Sequence, residues 1–474
     1  MYLLQKLLAV PQKEFIQQLT AVCIESFETL VNSSTCSDST KAFFKNYTPN
    51  SPLPVFLSII EPLCNQNDIS LEFKKTIIDY MTAVMPLAIK QHQADPVFYV
   101  SHDFRHSIAV VNYAEQLFDN CADFKQACIQ YIKHECATLP DNDVLIWSKF
   151  MLLTACYEHD IGYPVQAERG LSKASHSIIG AQQSESYIAS LRKRFLTKAG
   201  IPPSVVELLK NKILDLILYH NADVKQKLSV RPVYNYELPF GFLASDSNPE
   251  KSNFKQAYGC ILSCCVLDLE FGRTADVLAP NDGAAIIAFR PASLTDSASC
   301  FDAAVRIADN CDSTFSRLSS DQQQLTQAVF KQLVSQLRYQ DQDKPKIIEF
   351  SDASISAIYD IQIPLARQLS MKELNYFLAI MSIVDINFKF KSEGNLQIHI
   401  IQDEHVCNVL SKFECKTATG DQVDVINFYP DRITSAFESI RFKNQPIEVV
   451  CSKAKLDLGL NHLNVDVALL TLDS

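Results

Sequence analysis

The stretch VLIWSKFMLLTAC, Val144 to Cys156, reads as a buried helix, and it ends abruptly on polar side chains. Tyr157 and Glu158 lead into the doublet His159-Asp160, and Gly162, Tyr163 and Pro164 then break the chain direction. Polar groups at the end of a core helix need partners, because an unpaired one in an apolar interior costs free energy. Taken alone, the doublet admits two readings. It is an ordinary polar cap on the last carbonyls of the helix, or it faces a bound cation, with the Gly-Tyr-Pro turn letting adjacent side chains converge.

The other histidines favour the cation. The chain has only ten, and His106, His159, His176 and His220 fall in one helical region, each at a helix end or turn: FRHSIAV, YEHDIGYP, ASHSIIG and LILYHNAD. Neutral imidazole and carboxylate are good ligands for zinc, iron, manganese and nickel. An apolar helix beside each histidine would carry it to a shared core.

These four motifs, in this order, resemble those of the HD superfamily of metal-dependent phosphohydrolases, named for its histidine-aspartate doublet. The resemblance covers roughly residues 96–275. It implies an HD-type helical bundle holding one or two divalent ions (Zn, Mn, Fe or Ni). By this resemblance His106 is the first ligand, His159 and Asp160 are the doublet with Asp160 bridging two metals, and His176 and His220 hold the second metal. The family's distal aspartate matches Asp246 in FLASDSNPE, with Asp268 in VLDLEFGR as the alternative. The implied activity is hydrolysis of a phosphodiester or phosphomonoester, in a nucleotide or related compound, by metal-activated hydroxide. Asp160 and His176 would then be catalytic, and Arg105, Lys173 and Arg169 are the nearest basic candidates for a phosphate. His102, in a second His-Asp pair, reads as an entrance or surface residue, Tyr157 as packing and Glu158 as facing solvent.

Competing chemistry leaves no signature. The chain has no Gly-x-Ser-x-Gly elbow, no Gly-x-x-x-x-Gly-Lys-Ser/Thr loop and no Gly-x-Gly-x-x-Gly fingerprint. A content of 11 glycines argues against a repetitive β-protein. The net charge of −11, without a Lys/Arg-rich run, argues against a general nucleic-acid surface. The 15 cysteines include no Cys-x-x-Cys pair. They read as buried thiols in a reducing, cytoplasmic setting, with a zinc site at Cys260, Cys264 and Cys265 as the alternative. The N-terminus lacks the features of a secretory signal and no stretch is apolar enough for a membrane span; export by a dedicated secretion system stays open.

With 474 residues the chain is expected to hold two or three domains. The expected class is mainly α: a helical N-terminal extension over 1–95, the metal-binding helical domain over 96–275, and an α+β domain over 276–474. Short β-prone runs such as AAIIAFRP, NLQIHIIQD, PIEVVCS and VDVALLTL mark the last of these. That domain carries no catalytic motif, and homo-oligomer formation or a protein partner is assigned to it. A catalytically degenerate HD fold, serving as a nucleotide-sensing or protein-interaction module, is the alternative function.

Overall fold

The computed structural model describes residues 7–9, 12–33, 41, 70–93, 102, 104–164, 176–220, 226–229, 275–281, 284–289, 292–318, 320–337, 346–347, 371–391, 395–416, 422–424, 437 and 440–454. The described part is mainly helical. The chain divides into two compact units: residues 1–95, 102–310 and 436–446, and residues 96–101, 311–435 and 447–474.

In the first unit the helices run α1 (Gln12–Val31), α2 (Leu71–Gln93), α3 (Phe104–Asn120), α4 (Ala122–Glu135), α5 (Asp141–Glu158), α6 (His176–Gln183), α7 (Ala189–Lys198), α8 (Pro203–Tyr219) and α9 (Cys300–Cys311). A π-helical turn, Ser184–Ile188, joins α6 to α7. Two of the starts have a plain local cause. Asp141 and Asp143 put negative charge in the first turn of α5, where it meets the positive end of the helix dipole. Pro203 opens α8, where its missing amide hydrogen breaks no bond. Between these helices also lie β1 (Gln226–Ser229), β2 (Ala275–Asn281), β3 (Ala284–Phe289) and β4 (Ala292–Ser293). The first three form an antiparallel sheet in the order β1-β3-β2.

Helix α5 is the axis of this unit. Every residue from Phe150 to Glu158 is buried, so it has no solvent face in its last two turns. Phe150 meets Phe195 of α7, which stacks on Phe73 and Tyr80 of α2 at 5.2 and 6.3 Å. Each such ring contributes about 1.5–3 kcal/mol by burial.

The boundary expected at 275/276 does not coincide with this division. Helix α9 belongs to the first unit because Phe301 packs its ring edge-on against Phe124 and Tyr131 of α4.

The second unit contains α10 (Ser320–Leu337), β5 (Lys346–Ile347), α11 (Met371–Met381), β6 (Ile383–Phe390), β7 (Leu396–Asp403), α12 (Glu404–Leu410), β8 (Phe413–Lys416), β9 (Gln422–Asp424) and, after β10 (Ile440–Phe442) and β11 (Gln445–Pro446) of the first unit, β12 (Glu448–Ala454). One mixed sheet has the order β12-β7-β6, with β7 parallel to β12 and antiparallel to β6. Leu396, Ile398 and Ile400 alternate inward along β7, as a half-buried strand requires. Asp403 caps α12 by accepting from the Val406 amide at 2.9 Å. The run VDVALLTL and Cys260, Cys264 and Cys265 lie outside the described residues. Among the described residues no helix is long and apolar enough to cross a membrane.

Candidate metal centre

Four imidazoles reach one buried spot from four helices. His106 is in the first turn of α3, His176 begins α6, and His159 and His220 are the C-cap residues of α5 and α8. The two caps are built alike. His159 Nδ1 lies 2.6 Å from the Cys156 carbonyl and His220 Nδ1 lies 2.7 Å from the Ile217 carbonyl, each three residues back. A carbonyl there lacks an intrahelical partner, so Nδ1 donates to it. In the neutral ring, the form that binds a metal, that assigns the proton to Nδ1 and turns the Nε2 lone pair inward. The polar cap and the cation therefore do not exclude one another: one ring edge caps the helix and the other faces the centre.

The inward edges form two pairs. His106 Nε2 and His159 Nε2 are 3.1 Å apart, as are His176 Nε2 and His220 Nε2. Asp160 stands between the pairs. Its Oδ2 lies 3.4 Å from His106 Nε2 and 3.2 Å from His159 Nε2. Its Oδ1 lies 3.4 Å from both His176 Nε2 and His220 Nε2.

A second carboxylate completes the first pair. Asp309 Oδ1 lies 3.1 Å from His106 Nε2 and 3.7 Å from His159 Nε2. It comes from α9, far along the chain from the position expected for a distal aspartate. Asp246 and Asp268 lie outside the described residues, and the carboxylate seen beside the first pair is Asp309. Its side chain is 20% exposed where that of Asp160 is 2% exposed, so the cluster opens toward Asp309.

Electrostatics agree with this geometry. Burial alone would lower the pKa of His159, but the Asp160 and Asp309 carboxylates raise it to about 10. Burial would raise both carboxylates; the imidazoles around them hold each well below the usual range instead. The positive charge these carboxylates face is that of protonated His159, in the place a cation would take.

These donors fit a divalent cation. His106, His159 and Asp309 offer ligand atoms within 4.8 Å of one another, and so do His159, Asp160 and His220. Asp160 Oδ2 is buried without a well-directed hydrogen bond among the described residues. Where the lone pairs of capped imidazoles converge on a buried carboxylate, a cation supplies the missing partner. The donor set is nitrogen and oxygen only, which suits zinc, iron, manganese or nickel.

Glu158, His102 and Tyr163 support the cluster. Glu158, expected to face solvent, is fully buried and ion-paired with Arg192 of α7, which is fully buried too. Glu158 also accepts from Ser184 at 2.8 Å. His102, expected at an entrance or surface, is buried, with its ring 5.7 Å from His106 and 4.3 Å from Tyr163. Tyr163 in turn stacks on His176 at 4.2 Å and 18°. Tyr157 is buried, as expected of a packing residue. Arg105 is half-buried on α3, and Arg169 and Lys173 lie outside the described residues.

The turn after the doublet meets α6 backbone to backbone. A Cβ on Gly162 would sit 1.9 Å from the His176 carbonyl oxygen and 2.4 Å from the Gly180 amide nitrogen. Gly162→Ala is therefore expected to destabilise the protein at or above the upper end of the usual overpacking range of about 1–3 kcal/mol. Gly180→Ala meets a side-chain methyl of Ile217 at 3.2 Å and backbone atoms no nearer than 3.4 Å, so it should cost less. Urea midpoints of the two variants check the ranking.

Comparisons of the chain with models of known protein families, with curated proteins and with solved structures find no match.

Proposed function

We propose that this chain is a metal-dependent phosphohydrolase of the HD type, acting on a phosphate ester such as a nucleotide. The observation that carries the reading is the division of Asp160, with one oxygen toward His106 and His159 and the other toward His176 and His220. A carboxylate so placed suits two cations side by side. His106, His159 and Asp309 would hold the first, His176 and His220 the second, and Asp160 both. When bound, divalent cations supply a nucleophile from water near neutral pH and offset phosphate charge.

The chain's own residues set the conditions for that chemistry. The carbonyls of Cys156 and Ile217 fix the tautomers of His159 and His220. Tyr163 holds the plane of His176 by stacking. The buried, apolar surround of α5 keeps bulk water from the inner side of the cluster, which strengthens the charges acting there. Arg105, Arg169 and Lys173 stand near the ligands in sequence and would be the basic side chains to meet a phosphate. The partner is accordingly a small phosphate ester.

Elemental analysis of purified protein should find a transition metal near stoichiometry. Bis-p-nitrophenyl phosphate and p-nitrophenyl phosphate then test for diesterase and monoesterase turnover. Metal-dependent release of p-nitrophenol is the expected result. Metal without turnover on phosphate esters would point to the sensing module instead, and no metal after supplemented expression would overturn the reading.

A further inference from the structure

The helix that delivers Asp309 is fixed at its opposite end. Asp302 lies one helical face and two turns before Asp309 on α9, about 10 Å along the axis. Its Oδ2 accepts from Lys212 Nζ of α8 at 2.7 Å. Lys212 is buried; it also donates to Asp215 Oδ2 at 3.2 Å and lies over the Tyr131 ring of α4 at 5.5 Å. Lys212 stands two turns before His220 on its own helix. Helices α8 and α9 are thus joined by an ion pair, and further along they deliver His220 to Asp160 and Asp309 to His106 and His159.

We propose that Lys212 and Asp302 form a positioning pair for the metal centre, fixing the register of α9 so that the Asp309 carboxylate meets His106 and His159. The inference rests on the metal-binding reading above. Its physical basis is the nature of the α9 surface. Ala303, Ala304 and Ala308 are fully buried and small, and Phe301, Val305 and Ile307 are buried beside them; apolar burial of this kind is non-directional. The charged contact adds a directional restraint on sliding. A slip of one residue moves Asp309 about 1.5 Å along the axis and about 100° around it, well beyond the roughly 0.5 Å that a ligand constellation tolerates. A buried ion pair contributes little net stability over an apolar contact, and setting register is its best-attested use.

The test is a double-variant cycle read as cobalt(II) affinity, by competition with a chelating dye, alongside urea stability. Asp302→Asn should weaken cobalt(II) binding about tenfold, the lower end of what losing a residue behind a ligand costs. In an Asp309→Asn background the same change should alter affinity by less than about twofold, while its effect on stability is the same in both backgrounds. A purely structural role would lower affinity equally in both backgrounds, and that result overturns the proposal. So does unchanged affinity in the Asp302→Asn single variant. If Asp302→Asn does not fold, Asp302→Glu, which keeps the charge and lengthens the arm by one methylene, is judged by the same two criteria. Failure of the parent protein to bind cobalt(II) overturns the metal reading as well, whereas parent binding with an indifferent Asp302 overturns this inference alone.

Discussion

Asp160→Asn is expected to yield a folded protein that holds neither cation and has no phosphatase or diesterase activity above background. The amide has the shape of the carboxylate, and its nitrogen, standing where one oxygen was, can donate to one of the two imidazole pairs 3.2–3.4 Å away, so the helices should keep their places. What disappears is the negative charge that faces both imidazole pairs. Loss of a residue that only orients a ligand costs about 10–100-fold in metal affinity, and loss of the shared carboxylate should exceed that at both positions. Asp309→Asn provides the contrast. The Asp309 carboxylate faces His106 and His159 and not the other imidazole pair among the described residues, so the change should weaken one cation and leave the His176–His220 side loaded. Metal-to-protein ratios for the two variants separate these outcomes. An Asp160→Asn protein with its full metal content would remove the basis for a shared centre.

Arg192→Met is expected to be the most destabilising single change considered. Arg192 and Glu158 are both fully buried and bonded to each other and to Ser184. Removing the cation strands a carboxylate in the interior, for about 3–5 kcal/mol. Against a typical domain stability of about 5–15 kcal/mol, that is a large share, and the melting midpoint should fall by on the order of 10 °C. Removing both charges, as Glu158→Leu with Arg192→Met, should recover much of the loss, because apolar replacements of a buried pair are often neutral or better. If the double variant is no more stable than Arg192→Met alone, the stranded charge is not the cause. Differential scanning fluorimetry of the two variants decides the point. Glu158 directly precedes His159, so the same pair also holds the end of α5 in place.

Legibility in the sequence followed locality. His106, His159, Asp160, His176 and His220 stand at helix ends beside apolar runs, and short-range patterning exposes such positions. The structure brings all five together. Asp309 was not legible. It sits in VRIADNC among 54 acidic residues, inside a region read as a separate α+β domain. Long-range contacts, of Phe301 with Phe124 and Tyr131 and of Asp302 with Lys212, return its helix to the first unit. A signal existed, since CFDAAVRIADNC is amphipathic with Asp302 and Asp309 on one face. Glu158 was misread because its partner, Arg192, lies 34 residues later, and no local rule pairs them. The strands AAIIAF, LQIHIIQD and EVVCSKA appear where β-prone runs predicted them. The apolar run MKELNYFLAIMSIVD is divided: the helix ends at Met381 and Ile383 starts a strand, where β-branched residues favour a pleated surface.

The late position of Asp309 has a consequence during synthesis. His220 and Asp309 are 309 − 220 = 89 residues apart. At roughly 5–20 residues per second, a ribosome needs roughly 4–18 s to make the interval. For that time the nascent chain already owns four imidazoles and their shared acid, but not the carboxylate that finishes the first pair. On the proposed reading, an ion captured then would be held by an incomplete set, and commitment to one metal would wait for the arrival of α9.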